Sequence, residues 1–181
     1  KASQALSSEI VLEQLIQQLM HIVMENVGAE EGWLLLNTDV PQFSLVLEAH
    51  ATVEEVRILK SLPLETVNTT THALSHTIVK YVARTLAPLV LSNASHSNLF
   101  TNDPYIAKKQ PKSLLCMPVI NKNQLIGILY LENNLTTGAF TQDRLTVLKL
   151  LSTQMAISLE NAMYYAKLEQ ARQVAEQARR E

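Results

Sequence analysis

Two apolar runs joined by a short polar turn, at residues 113–131, constrain the fold of this chain most strongly. The runs are rich in β-branched and aliphatic residues, and the turn reads Asn-Lys-Asn-Gln at 121–124, which predicts a β-hairpin. The two sides of the first run are both apolar: Leu114, Cys116, Pro118 and Ile120 on one, and Leu115, Met117 and Val119 on the other. We therefore expect the hairpin near the centre of a sheet that is covered on both faces.

Composition excludes several classes of protein. The chain has 181 residues, a net charge of −2 and one cysteine. This charge offers no basic field for nucleic acid or membrane partners, and a lone thiol suits a reducing compartment, so a cytoplasmic location is expected. Because the chain begins at Lys1 and stops within a helical pattern, it is expected to be a segment of a longer protein.

The amino-terminal half predicts an amphipathic helix over residues 5–26, stopped by Gly28. Strands are predicted at 32–36 and 43–49, and residues 53–59 fit either a short helix or a strand. A helix over 72–84 and a strand at 89–91 follow, and the polar stretch 92–112 is predicted to be a lid with one short helix at 104–109. In the second strand, one shared face is expected for Phe43, Leu45, Leu47 and Ala49.

The last helix has the clearest start signal. Thr141 can cap it, Asp143 lies in the first turn, and Phe140 with Leu145 forms a hydrophobic staple. One apolar stripe can cover the sheet: Leu145, Leu148, Ser152, Met155, Leu159, Ala162 and Ala166.

A second stripe on this helix keeps a strict three-four spacing to the end of the chain. It predicts a homodimer seam because a helix of about 40 residues outruns a small domain. The polar seam positions Gln154 and Asn161 would fix register and a parallel pairing, whereas the alternative is a solvated helix that frays. The predicted seam comprises Val147, Leu150, Gln154, Ile157, Asn161, Tyr164 and Leu168, continued by Ala171, Ala175 and Ala178.

Three segments of the carboxy-terminal half resemble the GAF domain family: SLLCMPV at 113–119, LIGILYLENN at 125–134 and GAFTQDRLTVLKLLSTQMAISLENA at 138–162. Residues 79–94, 102–106 and 108–116 resemble the GAF domains of large bacterial, cyanobacterial-like hybrid serine/threonine kinase–histidine kinase sensors. The resemblance implies an α+β fold in α/β/α layers. A central antiparallel sheet would carry the terminal-helix bundle on one face and a pocket helix with the lid on the other.

On this basis the chain divides into three parts. Residues 1–28 form an amphipathic dimerisation helix, residues 29–140 the GAF sheet, pocket helix and lid, and residues 141–181 a long signalling helix leading to a downstream domain. The implied function is a regulatory sensor domain of a signal-transduction kinase that relays a small-molecule or packing signal through its last helix. The alternatives are a dimerisation and spacer module without a ligand, or a redox- or metal-dependent enzyme.

Family motifs leave the cofactor unknown. Asn133 and Phe140 match the Asn and Phe of the cyclic-nucleotide motif that some relatives carry, but Asn134, Arg144 and Leu145 stand at its Lys, Asp and Glu positions. The Lys–Asp ion pair of that motif cannot form, so cyclic nucleotide binding is unsupported. The lid and pocket helix hold no cysteine for a bilin, and the single Cys116 cannot complete the disulfide cycle of GAF-fold methionine sulfoxide reductases.

Individual polar residues give weaker signals. His72 and His76 are four apart on the predicted helix and could face one metal with His96 or Asp103, but solvated histidines are the commoner case, and no metal site is predicted. No catalytic arrangement is present, so the isolated domain is not expected to be an enzyme. From fold position, the candidate ligand contacts are His76, Ser92, Asn98, Asp103 and Tyr105 in the roof, with Cys116 and Met117 as floor.

Overall fold

A computed structural model describes residues 2–38, 44–66 and 74–181 of the chain. Among them are four α-helices, six β-strands and two short 3-10 turns. The strands form one antiparallel sheet in the order β3-β2-β1-β6-β5-β4. The elements are α1 (Ala2–Val27), β1 (Glu31–Thr38), β2 (Ser44–Thr52), β3 (Val56–Pro63), α2 (His76–Thr85), β4 (Leu89–Leu91), α3 (Pro104–Lys109), β5 (Ser113–Asn121), β6 (Gln124–Asn133) and α4 (Gln142–Arg180).

The predicted hairpin is β5 and β6, and the α+β architecture is confirmed. Lys122 and Asn123 form its turn with φ of 51° and 63°, so both central residues have the positive φ that a tight type I′ hairpin requires. Gly127 in β6 is needed because a Cβ there would collide with the carbonyl oxygen of Leu35 in β1. The hairpin is thereby held tightly against the centre of the sheet.

One face of the sheet, the helix side, is covered by α1 and α4. Its core joins Leu115, Met117 and Val119 of β5 to buried residues of both helices: Ile16, Met20, Val23, Val27, Leu148, Met155, Ala156 and Leu159. The two helices run antiparallel, since Gly28 after α1 adjoins Arg144 near the start of α4, and Ser8 shares a cavity with Tyr165. The opposite face, the lid side, carries α2 and residues 92–112, which we call the lid.

The start of α4 follows the sequence prediction. The Thr141 hydroxyl accepts a hydrogen bond from the Arg144 N–H at 3.4 Å, Asp143 lies in the first turn, and Phe140 and Leu145 pack into the helix-side core. The predicted sheet-facing stripe is confirmed where α4 crosses the sheet, as Leu148, Ser152, Met155 and Leu159 are buried. Beyond Leu159 no residue of α4 is buried.

The shared face predicted for the second strand is wrong. Leu45 and Leu47 lie in the lid-side core, whereas Ala49 lies in the helix-side core. The cause is a β-bulge, because Leu35 of β1 pairs with Leu47 while Leu34 pairs with Ala49, which leaves Glu48 as an extra residue. One extra residue reverses the side on which every later residue points. Phe43, the remaining member, lies outside the described residues.

Other boundaries differ modestly from the sequence predictions. Helix α2 starts at His76 rather than at residue 72, because the Ser75 hydroxyl caps it by accepting a hydrogen bond from the Ile78 N–H at 3.2 Å. The ambiguous stretch at 53–59 contributes to strand β3. The short lid helix and strand β4 have the predicted bounds.

Candidate functional site

Beneath the lid lies a polar cluster, which we define as Ser75, Asp103, Tyr105, Tyr130 and Glu132; all five are buried. Ser75 and Asp103 cap the two lid-side helices and are joined to each other. The Ser75 hydroxyl donates to Asp103 Oδ2 at 2.8 Å, and Asp103 Oδ1 accepts from the Ile106 N–H at 3.0 Å. Both caps therefore depend on one contact between α2 and the start of α3.

Glu132 anchors the other side of the polar cluster. Its side chain is fully buried, and the Tyr105 hydroxyl donates to its Oε2 at 2.5 Å, while Asn134 Nδ2 donates to Oε1 at 3.3 Å. Burial raises the pKa of the Glu132 carboxyl, against the opposing effects of the Tyr105 hydrogen bond and the Lys109 charge. The pKa of Tyr105 is also raised, by burial first and by the Glu132 charge second. The lid is thus tied to β6 through a carboxyl group held out of water.

Charged groups close the edge of this region. His50 Nε2 lies 3.1 Å from Glu31 Oε2, and Lys109 Nζ lies 3.7 Å from Glu31 Oε1. The hydrogen bond with His50 is the largest cause that lowers the pKa of Glu31. The His50 ring stacks on Trp33 with centroids 4.7 Å apart. These contacts join the carboxyl end of α3 to β1 and β2, so α3 is held at both of its ends.

The seven predicted ligand residues do not converge on one cavity. Asp103 and Tyr105 belong to the polar cluster and have protein partners. Ser92 and Asn98 are exposed on the lid, and half-buried His76 has a pKa lowered by burial first and by Lys80 second.

The two predicted floor residues lie on opposite faces of the sheet. Cys116 is fully buried in the lid-side core, where burial raises the pKa of its thiol. Met117 packs in the helix-side core, so pairing it with Cys116 as one floor was wrong. Neighbours in a strand point to opposite faces, and the sequence alone shows this.

On the lid side, an open cavity of about 560 Å³ lies at the carboxyl end of α2, and we call it the cleft. None of the seven predicted residues lines it. Its walls come from the ends of β1 and β2, the 3-10 turn after β3, α2 and the hairpin turn. The lining residues are Asn37, Leu45, Glu65, Lys80, Ala83, Arg84, Leu86, Asn123, Gln124 and Leu125.

Lys80 and Arg84 are the cations of the cleft, and their four-residue spacing places them on one face of α2. Within the described ranges neither forms an ion pair with a carboxylate. The Arg84 guanidinium lies 6.0 Å from the centroid of the Tyr81 ring. The spacing is visible in the sequence, but the cavity depends on how closely the hairpin turn approaches α2, which no local pattern reveals.

A second cavity, of about 290 Å³, lies against α4 and shares Asn37, Gln124 and Leu125 with the cleft. Its other lining residues are Ile126, Glu160, Met163, Tyr164 and Lys167. Asn37 Nδ2 donates to the Leu125 carbonyl at 3.1 Å, and Asn121 Nδ2 donates to Glu160 Oε2 at 3.0 Å. The end of the hairpin therefore contacts both the cleft and α4.

The seam residues predicted on α4 are all exposed in the single chain. Leu150 is 71% exposed, Tyr164 64% and Leu168 50%, and Val147 and Ile157 are about 40% exposed. At about 100° per residue, the seam lies on the side of α4 opposite the buried stripe. An apolar surface of this length is thus left without cover by the sheet.

Two kinds of site are not found among the residues described. No group of three or more His, Cys, Asp or Glu side chains is arranged to hold a metal ion in the ranges 2–38, 44–66 and 74–181. His72, one half of the predicted histidine pair, lies outside those ranges. No helix in the described part of the chain is both long and apolar enough to cross a membrane.

Comparison with known proteins agrees with this architecture. Hybrid signal transduction histidine kinase G of Dictyostelium discoideum is 46% identical over 93 residues, which cover 51% of this chain and 3% of that protein. The chain therefore spans only a small part of this relative.

Among solved structures, the fold is similar to the GAF domain of a two-component sensor histidine kinase from Bacillus halodurans, with a TM-score of 0.60 and 19% identity over 84% of this chain and 95% of that one. The GAF domain of an Acinetobacter phosphoenolpyruvate-protein phosphotransferase has a TM-score of 0.59 and 18% identity, over 91% and 96% of the two chains. At these identities the likeness concerns the fold alone. The family model for the GAF domain matches residues 11–159, and the chain belongs to the GAF domain family.

Proposed function

We propose that this chain is the regulatory domain of a signal-transduction histidine kinase, that it forms a parallel homodimer through α4, and that it relays a change at the cleft along that helix. Membership of the GAF family and the similarity to a hybrid histidine kinase support a regulatory signalling role. The kinase module in the same chain, the cytoplasmic location and the dimer are parts of the proposal.

The observation that carries the proposal is the uncovered apolar seam on α4. The helix has 39 residues and a length of about 58 Å at 1.5 Å per residue. Its buried residues end at Leu159, so the last 21 residues, 160–180, receive little support from the sheet. Most of the stability of a helix in a protein comes from packing of its apolar face, and a second copy would bury the seam of both chains.

The relay follows from the shared walls at the end of the hairpin. Asn37, Gln124 and Leu125 line the cleft on one side and the α4 cavity on the other. A ligand that favours one position of these residues biases the packing of Glu160 and Tyr164 in α4. Because α4 is continuous, a change in its rotation or register would reach the downstream module. In this proposal the three parts of the chain are a dimerisation helix at 1–28, the sensing sheet, pocket helix and lid at 29–140, and the signalling helix at 141–181.

Sedimentation velocity tests the dimer. We expect the wild-type chain to show a concentration-dependent dimer, and Leu150→Glu/Ile157→Glu to be monomeric, since charges in the seam oppose burial. The control is Leu99→Glu/Leu135→Glu, which introduces the same two charges at leucines outside α4 that are 76% and 74% exposed. A wild-type monomer at tens of micromolar, or a dimer that survives the seam substitutions, would contradict the proposal.

A spacer module without a ligand is the second candidate, because the region beneath the lid is filled by a packed core and by the polar cluster. It predicts the same dimer, but kinase output that does not change with any small molecule. A kinase assay of the full-length protein, with and without a cell metabolite extract, separates the two candidates.

A further inference from the structure

We infer that the cleft binds a compact amphiphilic organic anion, a molecule with one anionic head group on an apolar body. This inference rests on the proposed function, since it assigns a ligand class to the sensing side of the domain. The cleft lies at the carboxyl end of α2, away from the polar cluster under the lid. Its lining, and not the lid, would then determine specificity.

The charges of the cleft select an anion. Lys80 and Arg84 face it from successive turns of α2, and Glu65 is the only carboxylate that lines it within the described ranges. No ion pair in the described part of the chain neutralises either cation. An anionic head group between them would gain charge-assisted hydrogen bonds that water supplies less favourably. The local charge is therefore positive in a chain whose net charge is −2.

The rest of the lining selects an apolar body. Leu45, Ala83, Leu86 and Leu125 supply aliphatic surface beside the amides of Asn37 and Gln124. A volume of about 560 Å³ lies within the range of small-molecule sites and is far larger than an inorganic ion needs. An inorganic anion would leave this apolar surface in water, whereas an aromatic or branched body would cover it.

Leu86 is part of the apolar lining of the cleft. It ends α2 in the left-handed region with φ of 56°, a conformation that favours glycine, and its N–H donates to the Val82 carbonyl at 2.8 Å. Its side chain is 41% exposed at the cleft. The left-handed cap is a common way to end a helix, and Gln110 ends α3 in the same way, so the contribution of Leu86 is the apolar surface that it adds to the cleft.

The probe for this site is 8-anilinonaphthalene-1-sulfonate, which carries a sulfonate on an aromatic body and fluoresces when bound in an apolar site. N-phenyl-1-naphthylamine is its neutral analogue, with the same rings and no charge. We expect Lys80→Ala/Arg84→Ala to weaken binding of the sulfonate about 10-fold and binding of the neutral analogue less than about 2-fold. Alanine keeps helix propensity, and binding of the neutral probe reports that the cleft is intact.

Two controls isolate the cleft. Lys108→Ala/Lys149→Ala removes the same charge from exposed sites outside it and should leave sulfonate binding unchanged. Leu150→Glu/Ile157→Glu removes the apolar seam, the other surface that could take the probe, and should also leave it unchanged. Unaltered sulfonate binding in Lys80→Ala/Arg84→Ala, or equal losses for both probes, would overturn the inference.

Competition experiments test whether binding needs the apolar body of the ligand as well as its anionic group. We expect 1-naphthoate to displace the bound sulfonate probe and inorganic phosphate to displace it only at concentrations at least about 10-fold higher. Equal potency of phosphate would overturn the amphiphilic class. Sedimentation of the same variants separates the ligand hypothesis from the dimer hypothesis. If the dimer persists but probe binding does not depend on Lys80 and Arg84, only the proposed ligand class is contradicted.

Discussion

The two faces of the central sheet are built by different physical means. On the helix side, the buried residues that join the sheet to α1 and α4 are mostly apolar, with Ser8 and Ser152 as buried polar residues of the two helices. On the lid side, an apolar core is combined with the polar cluster, in which Glu132, Asp103 and Ser75 are withdrawn from water. Apolar burial is not directional, whereas buried polar groups are stabilising only while each keeps its partner.

This difference assigns a different role to each face. The helix side is stabilised by buried apolar area, and the proposed relay requires α4 to shift on this surface. The lid side has a few specific contacts that either form or do not. We therefore propose that the helix side serves assembly and relay and that the lid opens as a unit.

The largest effect is expected from truncating a buried side chain in the helix-side core. Leu148→Ala removes a fully buried side chain that α4 packs against the sheet and should lower the free energy of unfolding by about 3 kcal/mol. Urea denaturation measures this loss. Leu99→Ala, at a side chain that is 76% exposed, should cost less than about 0.5 kcal/mol. Equal costs would show that α4 does not support the sheet as described.

A smaller, more local effect is expected on the lid side. Tyr105→Phe removes the hydroxyl that donates to Glu132, which leaves a buried carboxyl short of a partner and should cost about 2 kcal/mol. Hydrogen exchange should accelerate at residues 104–110 and stay slow in α1 and the buried part of α4. Tyr81→Phe is the control, because the Tyr81 ring packs edge-to-face on Phe100 with centroids 5.8 Å apart, and phenylalanine keeps that contact. Acceleration spread over both faces would mean that the lid does not open separately.

The smallest effect is expected from Glu132→Gln, because the glutamine side chain can still accept the Tyr105 hydrogen bond. This substitution should change mainly the pH dependence of stability. Burial raises the pKa of Glu132, so the unfolded chain loses this proton at lower pH than the folded chain does. The stability that Glu132 contributes is present below its ordinary carboxyl pKa and is lost as pH rises through its folded pKa.

Urea unfolding from pH 4.5 upward should therefore show wild-type stability falling relative to Glu132→Gln. The exposed Glu54→Gln serves as control and should run parallel to the wild type. Parallel curves for Glu132→Gln and wild type would show that folding does not raise the pKa of this carboxyl.

The fold was readable from sequence where local patterns coincide with tertiary contacts. The turn at Lys122 and Asn123, the cap at Thr141 and the short lid helix are determined by neighbouring residues. The opposite orientations of Leu114 and Leu115 in β5 follow from strand geometry alone. These signals sufficed for the fold and its layers.

The site was less readable, because it depends on contacts between distant segments. The bulge at Glu48 places Ala49 on the opposite face of the sheet, and no glycine or proline at that point of the strand indicates a bulge. Asp103 and Tyr105 were selected as polar lid residues, but their partners, Ser75 and Glu132, lie 28 and 27 residues away. The cleft requires the hairpin turn to meet the end of α2, and this depends on packing of the whole sheet.

The central claim is that α4 pairs with its own copy, in parallel and in register. In such a dimer a seam residue faces the same residue of the second chain, so a cysteine there forms a symmetric disulfide. Cys116 is fully buried and will not compete. Under mild oxidation, we expect rapid disulfide dimers from Leu150→Cys and Ile157→Cys and none from Leu99→Cys. Equal cross-linking at all three positions, or none at the two seam positions, would contradict the account.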